Sequence, residues 1–103
     1  MIMVSVLYPQ DGGTKFDEAY YMQKHIPLVK ERWSGMGLQD LKVLKGVPGP
    51  DGSAAPYRIM AMLTWESAEA FGKGAKAHGP ELFGDVPNFT DIKPAVQISE
   101  LLG

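Results

Sequence analysis

The segment Tyr57–Trp65 constrains the fold most, because its side chains alternate strictly between two sets. One set is Tyr57, Ile59, Ala61, Leu63 and Trp65, and the other is Arg58, Met60, Met62 and Thr64. A repeat of two residues places the two sets on opposite faces of a β-strand. The run from Met1 to Tyr8 alternates in the same way, with Ile2, Val4, Val6 and Tyr8 on one face. The sequence therefore predicts a strand at each of these places.

A first helix is predicted between these two strands. Thr14 or Asp17 can cap its start with a side-chain oxygen, and the sequence Ser-Gly-Met-Gly ends it after Trp33. Pro27 lies inside this helix and lacks the backbone N–H that would bond to the carbonyl of Gln23. We therefore expect a helix that is bent near Pro27.

A second helix is predicted after Ser67, which is a good N-cap residue. Three glycines, at positions 72, 74 and 79, lower the helix propensity of the segment that follows. We therefore expect the C-terminal half of this helix to be short or irregular, and a loop containing Pro80, Pro87 and Asn88 to follow it.

Two further strands complete the pattern, one from about Leu41 to Gly46 and one from about Ile92 to Leu101. Between the two middle strands, residues 47–56 are rich in Pro, Gly, Asp and Ser and predict an exposed loop. The resulting order, β-α-β-β-α-β, is the ferredoxin-like α+β pattern, in which two helices cover one face of an antiparallel sheet. A chain of 103 residues forms one domain of this kind, spanning residues 1–103.

Composition argues against several classes of function. The net charge of −2 gives no basic surface for nucleic acid, and no apolar run approaches the length that crosses a membrane. The absence of cysteine excludes disulfides, thiolate-bound zinc and iron–sulfur clusters. With only two histidines, a dedicated metal site is not expected. The start, Met1 to Val4, lacks basic residues and is expected to be a strand and not a signal peptide, and a reducing cytoplasm fits the lack of cysteine.

The second face of the predicted sheet has no helix to cover it. It carries an unusual number of apolar side chains: Met3, Leu7, Leu44, Met60, Met62, Ala95 and Leu101. Monomeric proteins seldom expose an apolar patch of this kind. We therefore expect a homodimer in which two copies pack sheet to sheet about a two-fold axis.

The first helix carries the strongest candidate for chemistry. Tyr21 and His25 are four residues apart, so they share one helix face. An imidazole titrates near neutral pH and can accept and donate a proton. His25 could therefore act as an acid or base with Tyr21 holding the imidazole or donating to a ligand. The structural alternative is that Tyr20 and Tyr21 pack in the core while His25 bonds carbonyls that Pro27 leaves free.

The combination of two segments resembles the EthD family, named for ethyl tert-butyl ether degradation, within the dimeric α/β-barrel superfamily. The first segment contains Phe16-Asp17, Tyr20-Tyr21, His25 and Pro27-Leu28, and the second contains Asp85-Val86-Pro87-Asn88-Phe89-Thr90. The resemblance extends over essentially the whole chain, with Trp65 where Phe is usual. It implies a dimeric barrel built from two ferredoxin-like domains.

The resemblance also implies a small, mostly apolar ligand and a pocket between the helices and the sheet. We expect His25 and Tyr21 to be catalytic, without a cofactor or metal, on an aromatic or ketone-like compound, with oxygenase-like or isomerase-like chemistry. The residues expected to bind the substrate are Tyr20, Trp65, Asp85, Asn88 and Phe89. For Asp85 and Asn88 the structural alternative is turn formation around Pro87.

Two other functions fit the same resemblance. One is a dimeric binding or accessory protein that holds an apolar metabolite without transforming it. The other is haem degradation, for which related barrels use a tryptophan, a histidine and an asparagine on the first strand. Trp65 and His78 are present, but residues 1–8 contain no asparagine, which makes haem the weaker alternative.

Overall fold

The computed structural model describes residues 1–103 as a four-stranded antiparallel sheet with helices on one face. The strands are β1 (Ile2–Pro9), β2 (Leu38–Lys45), β3 (Tyr57–Trp65) and β4 (Ala95–Glu100). They lie in the order β2-β3-β1-β4, and every neighbouring pair is antiparallel. This is the predicted ferredoxin-like α+β fold, with β-α-β-β-α-β connectivity.

The helical segment between β1 and β2 consists of three parts: α1 (Glu18–Tyr20), a π-helical turn (Tyr21–His25) and α2 (Ile26–Trp33). Asp17 caps its start, since its side chain accepts a hydrogen bond from the backbone N–H of Tyr20. A 3-10 turn (Ser34–Met36) and Gly37, whose φ of 108° is left-handed, end it. Near Pro27, where the sequence predicts a bend, the helical segment has a widened turn that ends two residues before the proline.

The second helix, α3 (Ala68–Gly84), is regular over its whole length and contains Pro80. The expectation of a short helix followed by a loop at Pro80 is wrong. Packing outweighs propensity here, because Gly74 is buried and its carbonyl accepts a hydrogen bond of 2.8 Å from Nε1 of Trp33. Ser67 caps the helix as expected, and a 3-10 turn (Val86–Asn88) follows it.

β4 is shorter than the predicted strand from Ile92 to Leu101. Ile92 is buried in the core, and its backbone N–H donates to Oγ1 of Thr90 and not to a neighbouring strand. The residues from 91 to 94 therefore form a connection that crosses one end of the sheet before β4 begins.

The core lies between the helices and the sheet and is divided into two clusters. One surrounds Tyr8, Tyr21, Ile59 and Phe89. The other surrounds Trp33, Leu63, Trp65 and Leu82. The two clusters occupy opposite ends of β3, because Ile59 lies near its start and Trp65 is its last residue. No helix is both long and apolar enough to cross a membrane.

Candidate functional site

The π-helical turn brings Tyr20 and His25 toward the same carboxylate. In this turn the backbone N–H of Ile26 donates to the carbonyl of Tyr21, five residues earlier. A turn of this width aligns residues five apart, whereas an α-helix aligns residues three or four apart. The four-residue spacing predicts only the Tyr21–His25 pair, whereas the wide turn brings both tyrosines to the side of His25. Tyr21 stacks on His25, and Tyr20 reaches the acceptor that His25 uses.

That acceptor is Asp85, which follows α3. Nδ1 of His25 lies 2.9 Å from Oδ2 of Asp85. The hydroxyl of Tyr20 donates to Oδ1 of Asp85 at 2.7 Å, and Nδ2 of Asn88 donates to the same oxygen at 2.8 Å. Three donors from two distant segments of the chain thus converge on one carboxylate.

The electrostatics of this cluster favour an ionised Asp85 beside a neutral His25. Burial alone would raise the pKa of Asp85, but hydrogen bonds from Asn88, His25 and Tyr20 outweigh it and lower this pKa below its ordinary value. Burial lowers the pKa of His25, although Asp85 opposes this effect. A neutral imidazole facing a carboxylate carries its proton on Nδ1, so we infer that Nε2 is the free, basic nitrogen.

Aromatic rings hold the imidazole in place. The ring of Tyr21 stacks on His25 with centroids 5.5 Å apart and an interplanar angle of 18°. Phe89, which is completely buried, packs on another side of His25, with the two ring centroids 4.7 Å apart. These contacts leave the imidazole few alternative orientations.

His25 also borders a cavity of about 30 Å³ between the helices and the sheet. Apart from His25, the lining side chains are aliphatic or aromatic. The volume is sufficient for one or two water molecules, so a larger ligand requires side chains to move. The site is thus an imidazole at the edge of a small, mostly apolar cavity that two tyrosines, Tyr8 and Tyr21, also line.

Phe83 and Val86 separate this cavity from a groove on the surface. Both residues line the cavity and also line the groove, which has a volume of about 560 Å³. The groove runs along the 3-10 turn after α3 to Val96 on β4. Phe83 is 39% exposed, so it is the wall residue with most freedom to move.

The structure divides the predicted site residues into three groups. His25 and Tyr21 line the cavity, Tyr20, Asp85, Asn88 and Phe89 lie in the cluster around His25 without lining the cavity, and Trp65 lies elsewhere. Trp65 is fully buried against Trp33 and Phe71, with ring centroids 5.2 and 5.3 Å away, and it does not line the cavity. Leu63, two residues earlier on β3, and Trp33 both line the cavity, and Trp65 packs behind them. Trp65 is therefore not a wall of this cavity.

Sequence reasoning missed three residues of the site: Tyr8, Phe83 and Val86. The alternation of residues 1–8 places Tyr8 on one face of the first strand but does not identify it as a site residue. A tyrosine among aliphatic residues on a buried strand face is itself a signal, because its hydroxyl needs a partner there. Phe83 and Val86 lie where the helix was expected to have ended.

The comparison with solved structures decides the family. An EthD-like protein from Ralstonia eutropha JMP134 is 40% identical to this chain, with a TM-score of 0.90, and the match covers 99% of this chain and 92% of that protein. The chain belongs to the EthD family. An ethyl tert-butyl ether degradation (EthD) family protein from Bacillus halodurans C-125 is 22% identical, with a TM-score of 0.70 and 99% of each chain covered.

A more distant structure shares the fold of this EthD family member. It is a candidate monooxygenase from Shewanella loihica PV-4, 9% identical with a TM-score of 0.65, covering 99% of this chain and 94% of that one. At this identity the likeness concerns the fold alone. No family model and no curated protein matches the chain.

Proposed function

We propose that this EthD family protein is a small-molecule enzyme in which His25 acts as a general base on a small, mostly apolar aromatic or ketone-like compound, without a cofactor. The observation that carries the proposal is the position of the imidazole. One nitrogen of His25 contacts Asp85 at 2.9 Å, while the ring borders an apolar cavity.

The roles of the surrounding residues follow from their contacts. Asp85 holds the proton on Nδ1 and leaves the lone pair of Nε2 free, as the carboxylate does in other Asp–His pairs. Tyr20 and Asn88 fix the carboxylate, and Phe89 and Tyr21 fix the imidazole ring. A base whose pKa is lowered by burial is neutral, and ready to take a proton, near pH 7.

The reaction begins with transfer of a proton from a carbon or hydroxyl of the substrate to Nε2 of His25. Return of the proton to a different atom gives an isomerase. Capture of the substrate anion by molecular oxygen gives a monooxygenase. Both outcomes share the first step, which is the one that the residues around His25 support.

Membership of the EthD family and the likeness of fold to a candidate monooxygenase support a role in small-molecule metabolism. The competing function is a binding or accessory protein for an apolar metabolite. A protein of that kind has no use for a base fixed by a carboxylate, whereas an enzyme does.

Two measurements test the proposal. The first is a thermal-shift screen of wild type and His25→Ala with small phenols, quinones, ketones and lactones, with haemin as a control. The second is exchange of substrate C–H protons in D₂O, followed by NMR, for each compound that raises the Tm. Exchange that wild type catalyses and His25→Ala does not would support the base. Binding without exchange would support the accessory function.

We also propose that the protein is a homodimer that packs through the uncovered sheet face. Met3, Leu7, Leu44, Met60 and Met62 lie on that face, as their pairing across the strands requires. Leu44 is 43% exposed in the single chain. Light scattering coupled to size-exclusion chromatography should give twice the mass of the chain, and Met60→Lys, which buries a charge in this interface, should give the monomer mass. A monomeric wild type would contradict this proposal.

A further inference from the structure

Two buried tyrosines have hydroxyl groups without a partner. Tyr8 is 2% exposed and Tyr21 is 1% exposed. Neither hydroxyl makes a hydrogen bond to a protein group, whereas the hydroxyl of Tyr20 donates to Asp85. Tyrosine hydroxyls in a protein interior usually have a hydrogen-bond partner, so these two are available to donate to a bound group.

Both rings line the cavity that His25 borders. Tyr8 reaches it from β1 and Tyr21 from the π-helical turn, and their ring centroids are 5.9 Å apart with an interplanar angle of 81°. Tyr21 in turn stacks on His25. Three of the residues that line this space thus carry a basic nitrogen or a hydroxyl donor, and the other lining side chains are apolar.

The two phenols are suited to holding an anion because they stay protonated. Burial raises the pKa of Tyr21 well above its ordinary value, and it raises that of Tyr8 as well, with a further increase from Tyr21. Neutral donors in a site with little water stabilise negative charge that develops on a bound oxygen. The same groups bind a neutral carbonyl oxygen less strongly, so they favour the charged form.

We propose that Tyr8 and Tyr21 together bind the oxygen of a carbonyl substrate, and that the substrates are small ketones or β-dicarbonyl compounds with a C–H bond next to the carbonyl. This inference rests on the proposed function, in which His25 is the base. It adds Tyr8 as a second donor and names the class of compound. The cavity has room for the carbonyl group alone, so the rest of the compound requires a wall residue such as Phe83 to move.

The proposed step needs no reactant other than the substrate and His25. The C–H bond breaks, and its proton moves to Nε2 of His25. The electron pair forms a carbon–carbon double bond, and the carbonyl oxygen becomes an enolate oxygen that accepts hydrogen bonds from Tyr8 and Tyr21. In the reverse step the imidazolium returns the proton to carbon.

Pentane-2,4-dione is a suitable probe, because its enolate absorbs in the near ultraviolet and its C–H protons exchange in D₂O. At a pH above the pKa of the free dione, its affinity for the protein reports how well the preformed enolate is held. We expect Tyr8→Phe and Tyr21→Phe each to weaken enolate binding about tenfold or more. Tyr57→Phe is the matched control, since Tyr57 lies on the surface at the start of β3.

Stability provides a second readout. Removing a hydroxyl that has no partner should leave the Tm unchanged or raise it. The folded protein no longer bears the free-energy cost of taking that hydroxyl out of water. A Tm that falls in Tyr8→Phe or Tyr21→Phe would mean that the hydroxyl has a structural partner, and it would overturn the inference. Enolate binding that is absent in wild type, or equal in wild type and both variants, would also overturn it.

His25→Gln separates this inference from the proposed function. If His25 is the base and the tyrosines bind the enolate, His25→Gln abolishes C–H exchange but retains the affinity for the preformed enolate. If His25→Gln catalyses C–H exchange as fast as wild type, the proposed function fails. The affinity of the two tyrosine variants for the enolate then still decides the inference.

Discussion

Nδ1 of His25 lies 2.9 Å from Oδ2 of Asp85, although 60 residues separate the two in the sequence. His25 ends the π-helical turn, and Asp85 directly follows Gly84, the last residue of α3. The pair therefore joins the middle of the first helical segment to the end of α3, on the same face of the sheet. Any change in the length of α3 would move Asp85 away from its partner.

Asp85→Asn should change the protonation of His25 more than it changes the fold. An amide is neutral and can donate to Nδ1, which moves the proton to Nε2 and removes the free base. We expect ¹⁵N NMR of the imidazole to show Nδ1–H in wild type and Nε2–H in Asp85→Asn, and we expect proton exchange into a bound ketone to fall at least about 100-fold. The same tautomer in both proteins would contradict the assigned role of Asp85.

The free energy of unfolding should fall as the pH drops below about 7. The pKa of an unfolded histidine is about 6.5, and burial lowers that of His25 in the folded protein. Below about pH 6.5 the unfolded chain binds a proton that the native state does not, so stability is lost until the pH reaches the folded-state pKa. Asp85, whose pKa is lowered, stays ionised throughout this range.

Urea denaturation between pH 5 and pH 8 measures this dependence. His25→Gln should remove most of the slope near pH 6, while His78→Gln, at a half-buried position on α3, should retain it. If the slope survived in His25→Gln and disappeared in His78→Gln, the pH dependence would come from His78, and this prediction would be wrong.

Two glycines of α3 should respond oppositely to alanine. A Cβ at Gly74 would lie 2.8 Å from the ring of Trp65 and 3.1 Å from Nε1 of Trp33. Such overpacking costs about 1–3 kcal/mol. At Gly72 a Cβ meets nothing within 4 Å, so Gly72→Ala should stabilise the helix by about 0.5–1 kcal/mol. Thermal unfolding of both variants checks the pair, and equal effects at the two positions would contradict this account.

Phe83→Ala should open the cavity beside His25 to the surface groove, because the ring of Phe83 borders both. We expect pentane-2,4-dione to bind faster in stopped-flow measurements, and bulkier β-diketones to gain most in affinity. Phe71→Ala is the matched control, since Phe71 packs on Trp65 in the other core cluster. Unchanged association rates in Phe83→Ala would mean that ligands reach His25 by another route.

The sequence predicts the sheet well because alternation along a strand depends on local pattern. The bounds of β3 agree with the predicted segment Tyr57–Trp65, and Asp17 and Ser67 cap the helices through contacts within three residues. The length of α3 could not be predicted in this way. Its glycines are unfavourable locally, and only the packing of Gly74 against Trp33 and Trp65 explains why the helix continues.

The candidate site, like the fold, could be predicted only in part from the sequence. His25, Asp85 and Asn88 could be selected from the sequence, because polar residues beside a proline suggest chemistry or a turn. The role of Tyr20 could not, since it depends on the π-helical turn, and helical spacing in a sequence is read with the α-helical period. The absence of Trp65 from the cavity follows from its packing against Trp33 and Phe71, which a resemblance of motifs does not show.

The π-helical turn also has a consequence for how this site can arise and disappear. It holds one residue more than an α-helical turn would need. Deletion of a single codon between Tyr20 and His25 would leave these two residues four apart in a regular α-helix, where they still share one face. The residues between them would change position instead, including Tyr21, which stacks on His25. Relatives of this chain could therefore gain or lose the wide turn in one mutational event and keep both partners of Asp85 on the same face of the helix.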